Sequence, residues 1–349
     1  MSKLASIQRI LEINDIPNAQ KISVCKILGF SAVVKKGEFK VGDLVVYCAC
    51  DSILPFAPWS EFLRDKNRPD RAIRVKTIRL RGQVSQGLVL PLSVIMDQPV
   101  FPRSLFEGDD VTEILGIKKW EKELAAELMG TARSNFPSYI PKTDEENIKS
   151  NPRILEELLC KHLYATIKID GQSSTFYFNQ EGQFGACSRK LDLLPGTGRS
   201  NMWWRMVDKY DLENKLVGYF ATHGKHIAIQ AEIFGESIQG NKLGIAGNEI
   251  AVFDVWDIDN QKYYNYPDII QVCKELQLPL VPVIWENEFI TESETIESLT
   301  EKASKLVYPN GTPAEGMVVR PILETHSEVL GGSLSIKIMN PVFQLLYGE

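Results

Sequence analysis

Between residues 163 and 178 a single lysine is placed where its chemistry has to matter. Tyr164-Ala-Thr-Ile-Lys168 is apolar and β-branched up to Lys168, and Ile169-Asp170-Gly171 follows. Gln172-Ser-Ser and Thr175-Phe-Tyr-Phe178 come next, so two strands flank an Asp-Gly turn signal. A lysine ending a buried strand is costly unless it has a partner or a task. The task open to it is nucleophilic attack, which needs the neutral amine although the reference pKa is about 10.4. Burial, a bound metal and a second lysine all lower that value. Complementary groups follow on further strand-like segments. Asp170, Glu232 in Ala228–Gly235, and Glu315 at the head of Glu315–Arg320 offer oxygen ligands, direct or through water, for Mg²⁺ or Mn²⁺. Arg189, closing Cys187-Ser-Arg189, and Lys337, in Ser335–Asn340, are cations suited to phosphate. Phe253, in Ala251–Trp256, gives a ring on which a base can stack. Each group also has a plainer use: Glu232 and Glu315 as paired core carboxylates, Arg189 as a turn cap, and Phe253 or Trp256 as core.

These segments must be held by strands, and their order carries more information than any one of them. In that order they resemble motifs I, Ia, III, IIIa, IV and V of the covalent nucleotidyltransferases, the ligases and capping enzymes. The resemblance implies that Lys168 attacks the α-phosphorus of ATP and carries AMP. It also implies that Phe253 stacks on adenine, that Arg189 and Lys337 hold phosphates, and that Glu232 serves the metal or the ribose. Pro141-Lys-Thr-Asp-Glu-Glu146 is similar to the segment preceding motif I in RNA ligases, with Asn147 where the family carries arginine and Lys149 as a nearby substitute. Motif V here has Lys337 and Met339 where two lysines are common.

The first hundred residues are a different kind of sequence. Short apolar runs such as Ile22–Leu28, Ser31–Val34 and Leu44–Cys50 end at Gly29, Lys36-Gly37 and Asp51 to Pro55, which predicts about five strands in a small barrel. Ile16-Pro-Asn-Ala19, Val41-Gly-Asp43 and Asp51-Ser-Ile-Leu-Pro55 resemble words of OB-fold modules. Eight cations fall within the eighteen residues from Arg64 to Arg81. Alternation puts Arg74 and Lys76 on one face and Arg79 and Arg81 on the other, unless a bulge resets the register. A charged sheet edge is the bland reading; a surface for RNA phosphates is the functional one.

The expected fold class is therefore α+β in two domains. Residues 1–117 form an OB-fold β-barrel that binds RNA, 118–140 a helical linker, and 141–349 a nucleotidyltransferase domain of ATP-grasp-like antiparallel sheets with helices. Lys118 to Met129 has the composition of a helix. DNA ligases and capping enzymes place an OB domain after motif V, whereas nine residues follow Asn340 here. OB before nucleotidyltransferase resembles the RNA ligases sometimes called the fifth RNA-ligase family. Membership implies ATP-dependent joining of RNA 3′-hydroxyl and 5′-phosphate ends, for example at a nick in a duplex, in RNA repair. A catalytically idle RNA-binding protein, or a DNA ligase or guanylyltransferase relative, is the alternative.

Composition sets the outer limits. With 349 residues, 44% hydrophobic and 24% charged, the chain has room for about two globular domains. A net charge of −6 excludes a general polyanion-coating role, so nucleic-acid contact must be local. Six scattered cysteines without a Cys-x-x-Cys pair read as reduced thiols. No signal-peptide pattern and no apolar run near eighteen residues is present, so the expectation is a cytoplasmic or nuclear monomer without membrane contact.

Overall fold

Strand Leu44–Cys48 is buried on both faces, and this decides how the N-terminal region is built. Val46 and Cys48 enter one core with Ala5, Ile7, Leu54 and Leu90; Val45 and Tyr47 enter a second with Ile10, Ile27, Phe30 and Val89. Alternation of side chains along a wholly apolar run forces that division. Leu44–Cys48 pairs antiparallel with Ala5–Arg9 on one side and Leu88–Leu90 on the other. Glu12–Asp15, Ile22–Ile27 and Phe30–Lys35 make a separate meander, and Ser52–Leu54 lies between Ile73–Arg74 and Lys118–Lys119. The computed structural model describes residues 3–17, 19–65, 68, 72–81, 83–96, 104–120, 132–196 and 201–348. Among these the strands do not close into the expected barrel. Two cores on either side of one central strand take the place of a single enclosed interior.

By its internal packing the chain divides into two compact units, and both are discontinuous in sequence. The first joins Met1–Lys122 with Ile148–Pro152 and Pro341–Glu349. Its three pieces meet at Gln86, which donates from Nε2 to Gln344 Oε1 and accepts at Oε1 from Lys149 Nζ, both at 3.0 Å. Lys149 is therefore engaged inside this unit, which counts against its standing in for the family's arginine. The expected helix from Lys118 begins instead as strand Lys118–Lys119, and its continuation over 121–131 lies outside the described residues.

The second unit, Glu123–Asn147 with Arg153–Asn340, holds two large sheets and the small ribbon His326–Ser327 with Gly332–Ser333 among the described residues. The larger runs Ala132–Asn135, Leu191–Leu193, Phe184–Cys187, Gln172–Phe178, Ile227–Gly235, Asn248–Asp257, Lys262–Tyr263. The smaller runs Glu146–Asn147, Ile336–Met339, Gly316–Pro321, Leu163–Lys168, Val283–Glu288. Helices Met202–Tyr210 and Leu212–His223 cover the larger sheet, and Trp203 and Trp204 are packed in its core. Asn201 caps the first of these helices, accepting the Trp204 N–H at 3.1 Å. Among the described residues no helix is long and apolar enough to cross a membrane.

Candidate active site

Lys168 is the last residue of its strand in the smaller sheet, and Gln172 is the first residue of a strand in the larger one. Ile169-Asp170-Gly171 is thus a crossing between sheets, not the tight turn of a hairpin. That crossing creates the site. On the smaller sheet Lys168 lies opposite Gly316, directly after Glu315. On the larger sheet Ser173 lies opposite Glu232. Gly171 is required at the junction: a Cβ there would stand 2.4 Å from the Ile233 carbonyl oxygen and 2.7 Å from Glu232 Cγ.

The Lys168 Nζ donates to Glu315 Oε1 at 2.6 Å. Burial alone would depress the lysine's pKa, but Glu315, Glu232 and Glu145 outweigh it and hold the ammonium well above its usual range. This reverses the expectation of a lowered value, because three nearby carboxylates act against the desolvation. Burial raises Glu232 to about 8; Lys168 opposes that rise, and Glu315, Glu145 and Asp170 add to it. Glu315 is also raised by burial, against the pull of Lys168. Lys337 is the cation that is depressed, by burial and by repulsion from Lys168. Its strand, Ile336–Met339, pairs with both Gly316–Pro321 and Glu146–Asn147.

Asp170 is buried and ion-paired with Lys242, a residue that no sequence motif singles out. The 236–247 segment that carries Lys242 has glycines and positive-φ residues but no motif word, so nothing local marks it. Arg320 closes the Glu315–Arg320 segment, yet the sequence gives it no role. It is buried, donates to Glu145 at 2.8 Å and to Ser335 Oγ at 2.8 Å, and stands 3.9 Å from Asp254. Arg189 lies further out, half exposed, with one Nη2 at 2.6 Å from each Asp144 oxygen. Phe253 packs with Ile167 and Ile169 beside the lysine strand, and the Arg320 guanidinium carbon lies 5.8 Å from its ring centroid.

Among the described residues no three His, Cys, Asp or Glu side chains form a ready-made metal cage. Asp170, Glu232 and Glu315 are therefore not a preformed triad, since Lys242 and Lys168 already hold two of them. The donor chemistry nevertheless fits a hard divalent cation. Glu232 is a half-buried carboxylate with no hydrogen bond to another described side chain. Mg²⁺-like ions are commonly held by one or two carboxylates with substrate phosphates and water, so Glu232 and Glu315 would hold the ion.

In the first unit the basic run does not behave as one surface. Arg74 is half-buried, bound through Nε and Nη2 to Asp51 Oδ1 at 2.9 and 2.6 Å. Its guanidinium lies 3.5 Å from the Trp120 ring centroid. Its charge is thus paired within the unit. Arg79 is exposed on hairpin strand Ile78–Leu80, and Arg81, at φ 50°, is exposed beside it. Lys76 lies between strands and is partly exposed. Lys66 and Arg71 fall outside the described residues.

A family model described as RNA ligase matches residues 161–338, and one described as an OB-fold domain matches residues 4–92. Comparison with curated proteins finds no match. Among solved structures, the apo form of a Naegleria gruberi RNA ligase mutant is 30% identical, with a TM-score of 0.84 over 98% of this chain and 97% of that one. Another mutant of that ligase, with ATP and Mn, is 30% identical, with a TM-score of 0.84 over 99% and 98%. The same ligase with PPi is 31% identical, with a TM-score of 0.83 over 98% of each chain.

Proposed function

The chain belongs to the RNA ligase family, and we propose that it uses ATP and a divalent metal to join RNA 3′-hydroxyl and 5′-phosphate ends through AMP carried on Lys168. The observation carrying this reading is the meeting of Lys168, Glu315 and Glu232 where the two sheets exchange the chain, with Lys337 on the neighbouring strand. Solved forms of the similar Naegleria ligase contain ATP with Mn and AMP with Mn.

The residues divide the work as follows. Lys168 is protonated while Glu315 pairs with it, so attack requires that this pair be loosened and the proton released. Glu315 and Glu232 would hold the divalent ion, and with their charge so engaged burial would favour the amine. The metal supplies Lewis-acid polarisation and charge neutralisation at the phosphates. Lys168 Nζ forms a bond to the α-phosphorus as the bridging oxygen leaves with pyrophosphate. Lys337 and Arg189 neutralise phosphate oxygens, and Phe253 offers its ring to adenine. A 5′-phosphate oxygen next takes AMP from Lys168. The 3′-hydroxyl then attacks that 5′-phosphorus and AMP leaves. Asp170, tied to Lys242, orients the turn carrying Lys168.

We assign RNA contact in the OB-fold unit to Lys76, Arg79 and Arg81, and propose that the protein acts as a cytoplasmic or nuclear monomer on nicked duplexes in RNA repair. The test is protein labelling with ATP carrying a labelled α-phosphate. Lys168→Ala is expected to lose the label while keeping its thermal transition. Full labelling of Lys168→Ala, lost instead in Lys337→Ala, would move the nucleophile to the lysine with the depressed pKa. No label on the parent protein under any metal would favour an idle RNA binder.

A further inference from the structure

The hydroxyl of Tyr308 touches the backbone of three residues, and all three belong to the site. It donates to the Lys168 carbonyl oxygen at 3.1 Å and accepts the Asp170 N–H at 3.0 Å and the Glu315 N–H at 3.3 Å. A phenol has one proton to donate and two lone pairs to accept with, so its whole capacity is spent here. Lys168 and Asp170 lie about 140 residues before Tyr308, on the crossing between the two sheets. Glu315 lies seven residues after it, at the start of the neighbouring strand. The ring is buried, with 2% of its surface exposed.

The sequence around Tyr308 holds the ring rigidly. Its N–H donates to the Thr312 carbonyl at 2.8 Å, and the Gly311 N–H donates to the Tyr308 carbonyl at 2.8 Å. Gly311 takes φ +82°, a left-handed conformation suited to glycine. Asn310 Oδ1 accepts the Thr312 N–H at 3.0 Å and closes the Pro309-Asn-Gly-Thr turn. Beyond the turn, Ala314 N–H donates to the Leu306 carbonyl at 2.9 Å.

We propose that Tyr308 is a positioning residue for the covalent step, its hydroxyl fixing the backbone of Lys168 and Glu315 so that nucleophile and carboxylate meet in one geometry. It acts through those residues and does not itself touch the reacting atoms. Burial, then the charge of Glu315, pushes the phenol's pKa up, so the hydroxyl keeps the proton it donates. Without that hydroxyl, two N–H groups and one carbonyl lose their partner in a buried place. The Lys168–Glu315 pair then loses the clamp that fixes its length. The proposal rests on Lys168 being the nucleophile.

The experiment is single-turnover adenylylation of the full chain by ATP and Mn²⁺, at rising ATP and across pH, for the parent and Tyr308→Phe. The rate at saturating ATP is expected to fall about tenfold or more, since a misplacement near 1 Å costs about a hundredfold. The ATP concentration giving half that rate should change little. The groups bearing on the lysine's titration are Glu315, Glu232, Glu145 and Lys337, with Asp170 and Lys242 beside them. A looser Glu315 pairing stabilises the ammonium less, so the rising limb of the pH profile should move to lower pH. A merely structural tyrosine would lower the thermal transition and leave both the saturating rate and the limb in place, which would overturn the proposal. If Tyr308→Phe does not fold, 3-fluorotyrosine at 308 retains a hydroxyl that donates more strongly and accepts more weakly. An unmoved pH limb in that protein overturns the proposal as well. Label surviving in Lys168→Ala would instead remove the premise, whatever Tyr308→Phe shows.

Discussion

Replacing Gly171 by alanine tests whether the crossing between the two sheets builds the site. The new Cβ would lie 2.4 Å from the Ile233 carbonyl oxygen, 2.7 Å from Glu232 Cγ and 3.1 Å from Glu232 Oε1. Real Cβ atoms essentially never approach a neighbour under 3.0 Å, so something must move. The Ile233 oxygen belongs to the strand ladder and cannot swing aside. Ile233 pairs with Gln172 and Glu232 with Ser173, so the two strands would have to part by roughly half an ångström or more. Overpacking of this kind costs about 1–3 kcal/mol. For a unit of this size that is a fall in Tm of roughly 2–12 °C. The functional loss should be larger in proportion, because Glu232 is pushed from its place facing Lys168, and displacements near 1 Å cost about a hundredfold. Calorimetry together with single-turnover labelling by ATP would separate the two effects. A Gly171→Ala protein that melts with the parent and labels at the parent's rate would refute both the close approach and the role given to Glu232.

The further predictions concern charge. Burial raises the Glu232 carboxyl from an ordinary 4.5 to about 8 in the folded protein. The folded state therefore binds more protons in that window, and this group's contribution to stability falls as pH rises from about 4.5 to 8. Glu232→Gln should flatten the Tm–pH profile of the metal-free protein over that range, and an unchanged profile would refute the assignment. Asp254, raised to about 7 by burial, should still give its own slope of the same sign. In the first unit, Arg74→Ala should lower Tm, since it removes both the Asp51 pair and a ring interaction of about 0.5–2 kcal/mol. Arg79→Ala and Arg81→Ala should leave Tm in place and reduce the salt dependence of RNA binding by about one unit of slope for each phosphate no longer neutralised. RNA affinity that follows Arg74 and ignores the other two would reverse that assignment.

What can be read from the sequence is whatever local chemistry marks. Lys168, Glu232, Glu315 and Lys337 stand out as charges on apolar strands, and the fold brings all four to one place. Arg320 and Lys242 do not stand out, because their meaning lies in partners 175 and 72 residues away along the chain. Tyr308 is hidden as well: an aromatic residue before a Pro-Asn-Gly turn looks like ordinary packing until its hydroxyl is traced. Arg74 resembles a phosphate contact because composition counts cations without their counter-ions, and Asp51 lies 23 residues before it. A barrel is the natural expectation when strands and turns are counted. The double-sided burial of Leu44–Cys48 shows only when both of its cores are seen.

On the proposed reaction, the charge arrangement around Lys168 would couple its activation to substrate arrival. Glu145, Asp170, Glu232 and Glu315 surround the lysine, and all but Asp170 act directly to hold its proton in place. A free amine here would be reactive toward electrophiles, whereas an ammonium paired at 2.6 Å with Glu315 is inert. The same carboxylates that silence the lysine are the oxygen donors a divalent ion would take. In the proposed reaction, activation of Lys168 and arrival of its substrate would be one electrostatic event. The depressed pKa of Lys337 points the same way, since a cation destabilised by burial and by Lys168 is relieved when phosphate oxygens come within reach. The triphosphate and metal of the proposed reaction would complete a charge pattern that is unfavourable at rest.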